Sequence, residues 1–390
     1  MNRPDTRVFF HVGAPKTGTT YLQNVLFQNR ELLAANAVLY PYDDPGQSFR
    51  SMQDFRGEGW AGGKAKEFAG EWEAVARRLR AWEGPTAIVS NELLGGSTST
   101  RIERGLRTVE PLEVHVVFSA RDFARQLVSD WQEHIKHKHT VPLEKFVDDL
   151  IELGLDAPQP FGQLFWGMHD ASHVLERWAA FVPPERIHVV TVPQPGADAD
   201  VLWRRFCAVT GLEPDIYNAE TPRANPSMGV AETELVRRMN SDVQAMPAES
   251  YDPLVRKLLA EDILGGQSPR LRLPPGRIEW VTARSHRLID EMLAAGYDVE
   301  GDLADLLPRP EDHAGYVSPT DLTDADLAPA ALRAATGLLR HSGRQRRRIA
   351  DLQAELGEVP PGVDRAFSSE PWVRRAWRRA GRVVRKVKAG

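Results

Sequence analysis

Cysteine is nearly absent from this 390-residue chain, with Cys207 standing alone. A lone cysteine excludes an intramolecular disulfide, and no metal or thiol-catalysis motif surrounds it, so a small buried apolar side chain is its expected role. Long hydrophobic runs are missing too: no uninterrupted apolar stretch approaches the roughly 20 residues of a membrane-spanning helix. Residues Arg3, Pro4, Asp5 and Arg7 lead straight into a strand-like segment without the apolar core of a signal peptide. The expectation is a cytoplasmic protein. At 42% hydrophobic and 26% charged residues, the composition suits a soluble chain that buries a large core.

Positive charge is scarce over most of the sequence. The formal net charge is −5, but residues 338–390 hold fourteen Lys/Arg against five Asp/Glu, and that local excess of nine leaves −14 for the rest. An acidic body argues against a general nucleic-acid binder, whose basic footprint would lie on its folded domain.

Four short apolar runs read as strands: RVFFHV at 7–12, TAIVS at 86–90, EVHVVFSA at 113–120 and RIHVVTV at 186–192. Helical periodicity follows the first run, and further helices are expected over 65–82, about 99–109, Phe123 to about His137, 171–182 and 199–210. Buried strands alternating with helices indicate a three-layer α/β fold with a mainly parallel sheet, followed by a helical C-terminal part; the Gly/Pro/Thr loop after the first strand makes the expected fold P-loop-like. The segment from Tyr42 to Gly63, rich in Gly, Asp, Ser and aromatics without a clear period, reads as a long surface loop bordering an acceptor site.

The first strand breaks into Gly13-Ala14-Pro15-Lys16-Thr17-Gly18-Thr19-Thr20 before the first helix. In that context backbone N–H groups and a helix N-terminus cradle an oxyanion. The motif is not a Walker A loop, which would place lysine directly after the second glycine, where Thr19 stands. No acid after an apolar strand offers a magnesium ligand, so a nucleotide kinase or other P-loop phosphotransferase is the second reading. A catalytically silent nucleotide-binding module is the third.

The GAPKTGTT loop resembles that of bacterial sulfotransferases dependent on 3′-phosphoadenosine-5′-phosphosulfate (PAPS). The resemblance covers about residues 7–135. It implies that Lys16 contacts the bridging oxygen of the donor while Thr17, Gly18, Thr19 and Thr20 surround the 5′-phosphate. It also implies a 3′-phosphate site made by an arginine at a strand end and a serine eight residues later, a spacing that Arg121 and Ser129 satisfy. Further along, Arg223-Ala-Asn225-Pro-Ser227 resembles a late element of bacterial members. Asn225 and Ser227 there either cap a helix or approach the donor, and capping is favoured.

Sulfuryl transfer needs charge stabilised on the leaving oxygen, a task suited to Lys16, and no metal is required. A neutral hydroxyl also needs a base. Glu92 is the first candidate because it follows TAIVSN at the sheet edge that carries Lys16, and parallel strands deliver their C-terminal ends to one crevice. The alternatives are a histidine as base, with His11 and His134 next in line, because related sulfotransferases use either Glu or His, and a Glu92 that only caps or pairs locally. Among His134, His137 and His139, no carboxylate-rich or cysteine motif supports a metal site, and Lys136 and Lys138 oppose one. They read as a solvated helix end near the acceptor mouth. His11 reads as a packed strand residue.

The division expected from sequence is a sulfotransferase-like α/β domain over 1–322 and a helical arm over 323–390. Within 371–388, Trp372, Val373, Ala376, Trp377, Ala380, Val383, Val384 and Val387 recur at helical spacing between eight Lys/Arg. This is the form of a peripheral helix on an anionic membrane surface, with docking on the acidic body as the alternative. The function expected is transfer of a sulfuryl group from PAPS to a hydroxyl acceptor, a carbohydrate or glycolipid, without nucleic-acid partners.

Overall fold

The computed structural model describes residues 6–59, 63–220 and 227–357. The basic stretch 371–390 and the residues Arg223 and Asn225 lie outside them. Two compact units are distinguished, 1–332 and 333–390.

In the first unit, six strands form one parallel sheet: β1 (Arg7–His11), β2 (Val38–Leu39), β3 (Thr86–Ser90), β4 (Glu113–Ala120), β5 (Ile187–Thr191) and β6 (Asp298–Glu300). Their order is β2-β3-β1-β4-β5-β6. Phe9 lies beside Ile88 of β3 and His115 of β4, which places β1 at the centre. All five residues of β3 and of β5 are buried. That is the physical reason these strands are continuous apolar runs rather than alternating ones.

Helices cover both faces, making three layers. The first six α-helices are α1 (Thr19–Gln28), α2 (Arg30–Ala35), α3 (Pro45–Arg56), α4 (Glu71–Ala81), α5 (Ser99–Arg107) and α6 (Phe123–Lys136). On one face Phe10 packs against Trp72 of α4 and Trp178 of the helix Ala171–Ala179. On the other, His11 meets Phe206 of the helix Val201–Thr210. The α4 stripe Trp72, Val75, Ala76 and Leu79 is buried at spacings of three and four, as an amphipathic helix on a sheet requires. Trp178 is fully buried, and its truncation to alanine costs about 3–5 kcal/mol.

The expected loop over Tyr42–Gly63 is corrected by α3. Asp44 caps it, its carboxylate accepting from the Gly46 N–H at 2.8 Å; Pro45 opens it and Gly57 closes it in the left-handed region. Polar buried residues such as Ser48, Ser51 and Gln53 mask its apolar period, so caps rather than periodicity identify this helix. The helix expected over 65–82 is two pieces, a 3-10 turn Ala65–Phe68 and α4, separated by Gly70 at φ 91°. Strands β2 and β6 went unread because one is two residues long and the other is a polar edge.

After Thr210 the described chain is mainly helical, including Val230–Asp242, the π-helical segment Asp252–Ile263 and Ile278–Ala294. The last described helix is Asp324–Gly357. Its residues Arg344 and Arg346–Arg348, in the second unit, are exposed. Among the described residues, no helix is long and apolar enough to cross a membrane.

Candidate functional site

The C-terminal ends of β1, β3 and β4 converge where the strand order reverses beside β1, the position at which open parallel sheets present a crevice. From β1 emerges the Gly13–Thr20 loop. Gly13 has φ 135° and Gly18 φ 86°, and a side chain at Gly18 would lie 2.5 Å from a Leu202 methyl, so both conformation and space demand glycine there. Lys16 itself sits at φ 63°, an uncommon conformation for a residue with a side chain and one that concentrates at functional sites.

Three loop carbonyls are held by side chains. Thr17 donates its hydroxyl to the Ala14 carbonyl at 2.5 Å, Gln126 of α6 donates to Pro15 at 2.8 Å, and Arg121 donates to Lys16 at 2.8 Å. Backbone bonds between Ala14 N–H and Ser119 and between Ser119 N–H and Gly13 tie the loop to β4. Residues 15 and 16 form a hydrogen-bonded turn, and among the described residues the N–H groups of Lys16 and Gly18 meet no acceptor. Together with the α1 N-terminus they form a positively polarised turn suited to an oxyanion.

Arg121 follows β4, and Asp122 caps α6 by accepting from the Arg125 N–H at 2.8 Å. Two turns along α6, Ser129 accepts from the Arg121 guanidinium at 3.2 Å. The structure thus joins Lys16, Arg121 and Ser129 although 113 positions separate the first from the last. Arg121 keeps a buried Nε without a partner among the described residues. Burial, followed by the neighbouring Arg125 charge, lowers its pKa to about 10. A buried guanidinium with an unmet donor is poised for an anion.

Glu92 begins a 3-10 turn, Glu92–Gly96, directly after β3. The cap is Asn91, which accepts from the Leu93 N–H at 3.0 Å, so Glu92 is free of that duty. Its carboxylate accepts from Gln23 of α1 at 2.8 Å. Gln23 also lines a cavity of about 310 Å³ with Asn24, Phe27, Tyr40, Tyr42 and Ser48. The Glu92 carboxylate thus stands one hydrogen bond behind a residue of that cavity's wall.

Of the expected loop ligands, Thr17 and Thr19 are buried, the Thr17 hydroxyl serving the loop's own fold, whereas Thr20 is exposed. The histidine cluster is corrected: His134 is buried against Phe146 and Phe161, with its Nε2 3.3 Å from the buried Asp130. Only His137 of the cluster is exposed. Ser227 does not cap the helix Val230–Asp242, whose cap position is Gly229, its N–H donating to Glu232 at 3.1 Å. Instead Ser227 lines a cavity of about 180 Å³ with Lys16 and Ser129. His11 is the packed residue expected, its two ring nitrogens 2.8 Å from the Ser90 hydroxyl and 3.0 Å from that of Ser119. Cys207 is likewise buried.

Sequence reasoning missed Gln23, Gln126, Glu133 and Lys136. The last two share a helix face with Ser129, a signal that spacing alone offered. The Lys16 ammonium donates to the Glu133 carboxylate, which also takes Lys136 at 2.6 Å.

Neither protein-family profiles nor curated proteins give a match to this chain. Among solved structures, a sulfotransferase from Alicyclobacillus acidocaldarius aligns at 15% identity over 65% of this chain and 96% of that one, with a TM-score of 0.36. A likeness at that TM-score carries no weight for the activity of this chain, which is argued from its site.

Proposed function

We propose that this protein is a sulfotransferase that moves the sulfuryl group of PAPS to a hydroxyl acceptor. The observation that carries the reading is the union of the Lys16 loop with the Arg121–Ser129 pair through the 2.8 Å bond from Arg121 to the Lys16 carbonyl. A lone phosphate would need only the loop. A nucleotide bearing a phosphosulfate at one end and a phosphate at the other uses both centres.

In this reading the acceptor oxygen attacks sulfur in line, its proton passes to Glu92, the new O–S bond forms, and the bond from sulfur to the bridging oxygen breaks. Adenosine 3′,5′-bisphosphate leaves with the bonding electrons. Lys16 and the loop N–H groups meet the charge growing on that oxygen. The cavity beside Glu92 has aromatic walls from Phe27, Tyr40 and Tyr42 and amides from Gln23 and Asn24, which supports a saccharide acceptor because ring faces stack on aromatics while hydroxyls bond amides.

Purified full-length protein incubated with PAPS and a panel of mono- and disaccharides, without magnesium, is expected to give a sulfated product by mass spectrometry. Product formed only from ATP and magnesium would instead establish the phosphotransferase reading.

A further inference from the structure

Helical spacing places Ser129, Gln132, Glu133 and Lys136 on one face of α6, at i, i+3, i+4 and i+7. Ser129, Gln132 and Lys136 line the 180 Å³ cavity together with Lys16. The far wall comes from the π-helical segment Asp252–Ile263 through Ala260 and Glu261.

Glu133 sits between the two lysines. Its Oε2 takes the ammonium of Lys136 at 2.6 Å and that of Lys16, while Nε2 of His137 stands 3.3 Å from Oε1. Gln132 is committed elsewhere, donating to the Met228 carbonyl at 2.8 Å and the Thr233 hydroxyl at 3.1 Å. The second carboxylate, Glu261, is 4.0 Å from Lys136 and is engaged by Arg256 at 3.0 Å. Burial by itself would raise the Glu133 carboxyl, but the His137 hydrogen bond and the charges of Lys16 and Lys136 hold it well below the usual carboxylate range. Lys136 is pushed down by burial and by the Lys16 charge, against the pull of Glu133.

One carboxylate shared by two ammonium groups leaves most of their six donors without a partner among the described residues. A phosphate or sulfonate group, with three terminal oxygens, serves both lysines better. We propose that Glu133 is an internal competitor for the donor's anionic group and that Lys136 is a second cation for that group, both lysines exchanging Glu133 for donor oxygens. Glu133 is a positioning residue acting through the lysines. The identity of the anion rests on the donor reading above; the exchange itself does not.

The test is calorimetric titration of adenosine 3′,5′-bisphosphate and of inorganic pyrophosphate into the full chain, as wild type, Glu133→Gln and Lys136→Gln. Glu133→Gln is expected to bind both probes about ten-fold tighter, and Lys136→Gln about ten-fold weaker, the scale of one charge-assisted hydrogen bond. A merely structural role for Glu133 cannot tighten binding, and Lys136→Gln carries the test if the other variant fails to fold. Unchanged or weaker binding by a folded Glu133→Gln, or unchanged binding by Lys136→Gln, overturns the exchange while leaving the donor reading in place. The expected ordering with pyrophosphate alone, the bisphosphate failing to bind, upholds the exchange and overturns the donor reading. Failure of both probes overturns both.

Discussion

Glu92 and Glu133 both border the Gly13–Thr20 loop, yet their surroundings differ. Glu92 stands at the end of β3 with an amide donor, Gln23, and no ion pair among the described residues. Glu133 stands on α6 between two ammonium groups and beside an imidazole. A carboxylate held ionised by cations is a poor proton acceptor, because its affinity for a proton falls with every stabilising contact. The contrast teaches that environment, not residue type, decides which carboxylate is pinned by cations. In the proposed function, proton transfer falls to the β3 side and anion binding to the α6 side.

The strongest way to break this division is Lys16→Ala. Loss of the cation that meets the leaving oxygen is expected to lower sulfuryl transfer by about 10²–10³ with the fold retained, as followed by turnover and thermal melting. Turnover within threefold of wild type would remove Lys16 from the chemistry.

Glu92→Gln is expected to cut turnover by about 10², without altering affinity for adenosine 3′,5′-bisphosphate. Retained turnover would leave the β3 side without its base and collapse the contrast.

On the α6 side, Arg121→Ala is expected to weaken bisphosphate binding by about ten- to a hundred-fold, and Ser129→Ala by about threefold, since a charged donor outweighs a neutral hydroxyl. Equal affinity for adenosine 5′-monophosphate and the 3′,5′-bisphosphate in the wild type would sink this site.

A smaller effect concerns the floor beneath both sides. His11 links Ser90 of β3 to Ser119 of β4, and burial, opposed by a backbone hydrogen bond at Gly13, lowers its pKa to about 4. The unfolded chain binds the proton more readily, near its ordinary 6.5. The contribution is therefore complete above about pH 6.5 and lost as pH falls toward 4. Melting temperatures of wild type and His11→Gln should converge over that window; a constant difference would show that His11 does not titrate there.

Deletion of 371–390 should have the least effect on chemistry. Turnover of a small soluble acceptor is expected to persist while salt-sensitive co-sedimentation with anionic vesicles disappears. Equal sedimentation of the truncated chain would end the proposal of a membrane-binding tail.

Much of the architecture was legible in the residues themselves. β1, β3, β4 and β5 are buried on a sheet covered from both faces, so each had to be an apolar run, and the glycine loop after β1 advertised its own backbone demands. Helix α3 was hidden because six of its twelve residues are buried and four of those six are polar, Gln47, Ser48, Ser51 and Gln53, which erases the usual period. The sequence by itself determined the strand–loop–helix unit and the strand-end positions of Glu92 and Arg121, because backbone geometry and burial are read from neighbouring residues. Only the tertiary structure decided that His134 is buried, that Gln23 serves Glu92, and that Glu133 meets Lys16 from 117 positions away. Those pairings depend on where α1 and α6 pack around the same loop, and a carboxylate's chemistry is set by the charges that packing brings to it.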